Sequence, residues 1–238
     1  SNMSYEQLLQ IGKKQFEYRE YQQAKDTLLF AFSENKTIEL AHLLSNCFSK
    51  LEEYEYASKF FETNLTYFQN NGNYWGILAL HHYLVDDDEG AAGASLNAIE
   101  NFGVQMPEIW KMFVYSAKKL NRAQLLFDVC KKHLNKSNLN PYIIEGYITG
   151  CCSTDNYEEA LYFIQSIGLN KSNIASFGEV SSTLSTMIAA IIEKTSDDLT
   201  EELNWNSLAN KLNPDSDTIK WNLSLLKLKN GLIEEGSK

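Results

Sequence analysis

The residues of this chain that carry atoms suited to chemistry are few, and their spacing works against them. His81-His82 followed by Asp86-Asp87-Asp88-Glu89 offers the nitrogen and oxygen ligands that a metal accepts. Adjacent histidines on a helix point about 100° apart, however, and the carboxylates fall in a turn and at the next helix start, where they complement its dipole. A solvated turn accounts for them, and no metal is expected. Cys151-Cys152 cannot both face one ion from neighbouring helical positions and have no nearby histidine, so core packing is expected of them. No Gly-rich phosphate loop, Gly-x-Ser-x-Gly elbow or His-Glu-x-x-His occurs, so neither catalysis nor a cofactor is expected of this chain.

What remains is the scaffold. The chain has 238 residues, 44% hydrophobic and 22% charged, which is enough apolar material for a core; three prolines and twelve glycines are too few for a protein of hairpins and tight turns. An all-helical fold is expected. The excess of 31 acidic over 21 basic residues gives a formal charge of −10, which repels phosphate backbones, so nucleic acid is not an expected partner. No run of about 20 apolar residues suggests a membrane span, and no leader pattern opens the chain. Cys47, Cys130, Cys151 and Cys152 form no Cys-x-x-Cys pair, which fits a reducing, cytoplasmic setting.

Internal periodicity organises the rest. Ala24, Ala57, Ala91, Leu126 and Ala160 follow one another at steps of 33, 34, 35 and 34, each shortly after a polar break. Trp75 and Trp110 keep the same period, each sixteen residues ahead of its own Ala91 or Leu126. Apolar residues recurring at three and four make each period two amphipathic helices, as in Leu8, Ile11, Gly12 and Phe16 followed by Ala24, Leu28 and Ala31. The breaks at 17–20, 51–53, 86–90, 120–122 and 155–156 turn one helix back on the last, and the small residues allow close approach. Pro107, Pro141 and Pro214 stand between units, where a missing N–H costs least. Leu8, Trp75 and Trp110 are expected to be buried between hairpins.

These features resemble the tetratricopeptide repeat (TPR). Residues 5–36 fit it through Leu8, Ile11-Gly12, Tyr21, Ala24, Leu28 and Ala31, and residues 141–169 through Asp155-Asn156-Tyr157-Glu158-Glu159-Ala160. Units 38–70, 72–104 and 107–136 are degenerate but in phase. The resemblance implies an all-α fold: a right-handed α-solenoid of about six helical hairpins, a TPR-like superhelix, plus a C-terminal helix. Residues 5–169 form five repeats. Residues 170–238 continue them as a divergent hairpin, with helices over Ser176–Glu193 and Leu199–Leu212, and a final half repeat that turns near Gly231. The stretch 168–182 is the expected irregular connection.

A solenoid of this kind lines a concave groove with its first helices, and such a groove binds a partner protein or peptide. By the resemblance, the groove residues are Leu9, Lys13 and Phe16; His42, Asn46 and Lys50; Ile77, Leu80 and Tyr83; Lys111, Tyr115, Lys118 and Lys119; and Glu145 and Thr149. Residues 107–140 hold seven basic side chains, Lys111, Lys118, Lys119, Arg122, Lys131, Lys132 and Lys136, against Glu108 and Asp128, a local charge of +5 suited to an acidic partner segment. A solvated helix face is the plainer explanation for Lys131, Lys132 and Lys136. Repeat proteins that clamp a C-terminal carboxylate need a Lys/Asn set, where this chain has Leu9, Lys13, Leu43, Asn73 and Ile77; that clamp is not expected.

Two further readings compete with an adaptor. The segment from Asn213-Pro214 through Trp221 to Glu234-Glu235-Gly236 resembles the repeat ahead of the catalytic domain in many bacterial glycosyltransferases, which would make the chain a recognition or oligomerisation arm; Ser237-Lys238 departs from that pattern. The apolar side of residues 221–228 also leaves room for self-assembly through end faces.

Overall fold

In a computed structural model of the chain, which describes residues 3–135 and 139–236, thirteen α-helices and no strand occur among the described residues. Lys136, Ser237 and Lys238 lie outside them. The helices form two compact units, residues 1–120 and 121–238. The first unit holds α1 (Tyr5–Glu17), α2 (Tyr21–Glu34), α3 (Ile38–Lys50), α4 (Tyr54–Thr63), α5 (Gly72–Leu84), α6 (Asp88–Phe102) and α7 (Pro107–Lys119), with a 3-10 turn at Asn64–Tyr67. The second holds α8 (Ala123–His133), α9 (Pro141–Ser153), α10 (Tyr157–Ser166), a 3-10 stretch at Ile174–Val180, α11 (Ser181–Thr195), α12 (Leu199–Leu212) and α13 (Asp217–Gly236). The two helices of the 107–136 repeat therefore belong to different units.

Short polar side chains start many of these helices. Ser4, Thr37, Asn71, Asp87, Asn140 and Asp198 each accept a hydrogen bond from a first-turn N–H, which satisfies a donor that has no partner within the helix. Pro107 and Pro141 occupy first-turn positions, and the Asn213-Pro214 break separates α12 from α13.

The turns inside the hairpins share one geometry. Arg19, Glu52, Asp86, Asn121 and Asp155 have φ of 60°, 56°, 60°, 56° and 58°, and each stands five residues ahead of Ala24, Ala57, Ala91, Leu126 or Ala160. In four of the turns the next N–H reaches back to close the loop, Glu20 to Gln15, Glu53 to Phe48, Asp87 to His82 and Asn156 to Cys151, at 2.7–3.0 Å. This is the paired-bond ending that glycine usually supplies. The left-handed residue here always has a side chain, and Arg19 and Glu52 meet there the Cβ crowding that disfavours the conformation by about 1–2 kcal/mol.

The marker residues are among the enclosed points of each period: Ala24, Ala57, Ala91 and Ala160 are fully buried and Leu126 nearly so. In the first unit the first helices lie side by side, α1 on α3, α3 on α5 and α5 on α7, each also packed against second helices. In the second unit α9 lies on α11, while α8 packs on α9 and α12 on α11 and α13. The α8–α9 approach depends on Gly150, where a Cβ would stand 2.6 Å from the Phe127 main-chain nitrogen and 2.8 Å from its Cα.

Four expectations need correction. Trp110 is fully buried, but Trp75 is only half-buried, because Tyr74 fills the interior at that turn and donates from its hydroxyl to the Phe61 carbonyl at 2.6 Å. The Trp75 indole N–H instead donates to the Gln69 carbonyl at 2.9 Å. The helix expected from Ser176 begins at Ser181, since Gly178 adopts φ 68° and ψ −133°, a conformation closed to other residues. The span Ile174–Thr195 is, contrary to expectation, long and apolar enough to match a membrane helix by length and composition. The Gly178 break interrupts it, however, and Val180, Leu184, Ile188, Ala189 and Ile191 are buried among protein neighbours, as in a core helix. Finally, α13 runs unbroken through Gly231, so no turn forms there.

Candidate interaction surface

The first helices carry the residues assigned to partner binding, and the structure sorts them. Leu9 (3% exposed), Ile77 (5%) and Glu145 (2%) belong to the interior and cannot line a groove. The reason is the breadth of contact: α1 buries Leu8 and Leu9 in succession and α5 buries Gly76 to Ala79, so each first helix is covered over a wider arc than a single stripe.

Lys13, half-buried on α1, pairs with Glu39 of α3 at 2.9 Å, and that hydrogen bond raises its pKa. Phe16 turns toward its own hairpin and meets Tyr21 edge-on at 5.1 Å. His42, Asn46 and Lys50 form an exposed row along α3, one turn apart. Leu80 and Tyr83 are half-buried on α5. Lys119 of α7 holds its Nζ 5.8 Å from the Tyr83 ring centre and 3.8 and 3.9 Å from Asp86 and Asp88, which ties it to the α5–α6 turn. Lys111 and Lys118 each approach the Tyr115 ring to 5.8 Å from either side, one turn away along α7. Tyr83, Lys111, Tyr115, Lys118 and Lys119 thus gather on the adjoining α5 and α7, whereas Lys13 and Phe16 are engaged elsewhere.

In the second unit Thr149 donates to the Met187 sulfur at 3.2 Å, between α9 and α11. Lys131 is held by Glu159 at 2.7 Å and lies over the Phe127 ring at 5.1 Å, which ties α8 to α10. Its role is structural, and Lys136 lies outside the described residues.

The chemistry-bearing clusters are packed rather than reactive. His81 is fully buried, bonded through Nε2 to Ser45 Oγ at 2.6 Å and stacked on Phe61 at 4.7 Å; burial, aided by His82, lowers its pKa to about 4. His82 bridges Glu62 at 2.8 Å and Asp87 at 3.0 Å. Burial pushes the thiols up, Cys47 and Cys152 to about 11 and Cys151 to about 12, which leaves them protonated and poorly nucleophilic. No group of three or more His, Cys, Asp or Glu among the described residues could hold a metal ion.

One feature escaped the sequence reading. A cavity of about 380 Å³ opens between α11, α12 and α13, with Glu202 and Asn206 of α12 in its wall. The Glu202–Asn206 spacing of one helical turn was the only signal, and a polar pair at that spacing ordinarily marks a solvated face.

No protein-family model matches the sequence, and no curated protein matches it. Solved structures do. YrrB, a TPR protein with an unusual peptide-binding site, aligns with a TM-score of 0.60 at 14% identity, over 83% of this chain and 97% of that one. A tetratricopeptide repeat protein from Parabacteroides merdae aligns at 0.54 and 13% identity, over 94% of this chain and 98% of that one. At such identities the likeness is one of architecture, and it agrees with the turns and the buried alanines: the chain has the tetratricopeptide-type fold of stacked helical hairpins.

Proposed function

We propose that this chain is a protein-interaction module that holds a segment of a partner polypeptide against its first helices, with an acidic stretch of that segment received on α5 and α7. The observation that carries this reading is the placement of Lys111 and Lys118 on either side of Tyr115, basic and aromatic side chains together in a molecule of net charge −10, next to Tyr83 and the Asp-paired Lys119 on the adjoining α5 and α7. Lysines beside aromatic rings offer an acidic peptide both charge and flat apolar surface. The fold supports the reading, since YrrB combines the same architecture with a peptide-binding site.

A fluorescent acidic decapeptide containing one aromatic residue is a direct probe. Lys111→Glu combined with Lys118→Glu is expected to weaken its binding at least about tenfold without unfolding the chain, as read by its circular dichroism. Unchanged affinity would remove the cluster from partner recognition.

A specific observation also favours self-association. Trp221, Leu225, Leu228 and Leu232 stand 47–66% exposed on α13, at steps of four, three and four. The order is symmetric, so an antiparallel second copy would set Trp221 against Leu232 and Leu225 against Leu228. The pair would cover on the order of 1,000 Å² of apolar surface, about the threshold of a specific interface. A dimer mass at micromolar concentration that reverts to monomer in Leu228→Glu is expected; a constant monomer mass over a dilution series of the parent chain would count against it.

A further inference from the structure

The cavity in the second unit is separate from the lysine cluster and has the opposite chemistry. Glu202 lies in the first turn of α12, with Asp198 capping that helix, and Asn206 follows one turn later on the same side. Both are deeply enclosed, at 6% and 5% exposure. The neighbouring Glu201 is paired with Lys171, but no described residue gives the Glu202 carboxylate a hydrogen bond or an ion pair. Asn206 donates through Nδ2 to the Glu202 carbonyl at 3.1 Å, and its Oδ1 receives no hydrogen bond from a described residue. The Glu202 side chain is largely enclosed, but its carboxylate oxygens and Asn206 Oδ1 are not sealed off, so they keep acceptor capacity toward the cavity, with Lys229 of α13 the cation that acts on Glu202.

The walls say what would meet that capacity. Glu193 of α11 adds a second carboxylate, Asn222 of α13 an amide, and Lys229 of α13 a single cation, so the lining carries one net negative charge. Burial and Glu193 raise the Glu202 pKa while Lys229 lowers it, an environment short of positive charge. Ala190 and Leu226 supply apolar wall, with Leu225 at the rim between the cavity and the exposed stripe of α13. The volume of about 380 Å³ suits one long side chain rather than a helix. Several acceptors and an apolar wall fit a planar cation with many donors on an aliphatic stem. A guanidinium meets that description: its fork matches a carboxylate with two parallel hydrogen bonds, and its remaining N–H groups can reach amide oxygens.

We propose that the cavity between α11, α12 and α13 is a receptor for the guanidinium of an arginine side chain carried by a bound polypeptide, with Glu202 as its anion and Asn206 as a further acceptor. This rests on the reading of the chain as a polypeptide-binding module, but not on the lysine cluster.

The test uses the full chain and four probes: acetyl-Gly-Gly-Arg-Gly-Gly-amide, the same peptide with citrulline in place of arginine, free L-arginine, and the acidic decapeptide. Binding is followed by calorimetry and by the side-chain amide signals of Asn206 and Asn222. The arginine peptide is expected to bind and to shift both amides, with citrulline at least tenfold weaker. Glu202→Gln is expected to reduce arginine-peptide binding at least tenfold while raising the thermal midpoint, since it removes a buried charge of nearly the same shape. Lys111→Glu with Lys118→Glu is expected to lose the acidic decapeptide and keep the arginine peptide, which separates the two sites. Equal affinity for the arginine and citrulline peptides, or undiminished binding by Glu202→Gln, would overturn the proposal. Free L-arginine binding as tightly as the peptide would overturn its polypeptide source.

Discussion

Trp110→Ala is expected to cost about 4 kcal/mol of stability, within the 3–5 kcal/mol typical of removing a fully enclosed tryptophan. The indole is completely buried on α7, which packs on α5 and α6, and Phe113 meets it edge-on at 6.0 Å. Deleting it removes a large apolar area and leaves a void that close-packed neighbours fill only in part. Trp75 occupies the same place in the preceding repeat but is half-buried, so Trp75→Ala is the internal comparison and should cost clearly less. Urea midpoints of the two variants, read with a common slope, give the difference. Equal losses, or a loss under about 1 kcal/mol for Trp110→Ala, would place α7 wrongly in the interior.

The second large effect is on acid stability, through His81. Its folded pKa, about 4, lies below the ordinary histidine value of 6.5, because the ring is enclosed by Phe61 and by Ser45 of α3 and lies beside His82. The unfolded chain therefore binds a proton between pH 6.5 and 4 that the folded chain refuses. The contribution is complete above pH 6.5 and is lost as the pH falls toward 4, amounting to about 3 kcal/mol at roughly 1.4 kcal/mol per pKa unit. Carboxylates titrate over part of the same range, so the measurement is the difference between the parent and His81→Gln. The variant is expected to be less stable at pH 7 and to show a flatter decline. Parallel pH profiles would mean that the imidazole accepts its proton in the folded state.

The period was legible in the sequence because it reflects a local requirement repeated five times: an enclosed residue where two helices cross, alanine in four periods and Leu126 in the other, preceded by a polar turn. Ala24 and Ala57 announce that without help from the rest of the chain. What each first helix turns toward its neighbours was not legible, since rotation about the helix axis is set by two flanking helices at once. Leu9, Ile77 and Glu145 were assigned outward by analogy and lie inward for that reason. Gly178 and Gly231 show the same limit from the other side. One glycine takes a positive φ and a break that delays the start of α11 to Ser181, and the other passes inside a helix, a difference that the residue type alone does not carry. Of the candidate surface, Tyr83, Tyr115 and their lysines were assigned through the resemblance to the repeat family, and they lie on the adjoining α5 and α7. The Glu202 cavity was not, because an enclosed carboxylate and a solvated one have the same pattern until three helices meet.

The recurring left-handed residues have a consequence for how such a chain can change length. Arginine, glutamate, aspartate and asparagine all occupy the slot, and four of the bends close with the same main-chain bond. The joint therefore asks almost nothing of the side chain it contains. Copying or excising a stretch that runs from one of these bends to the next rejoins like with like, whereas an edit of half that length would set two first helices, or two second helices, in succession and leave their neighbours facing the wrong flank. Growth by whole cassettes is the insertion this backbone accepts most readily.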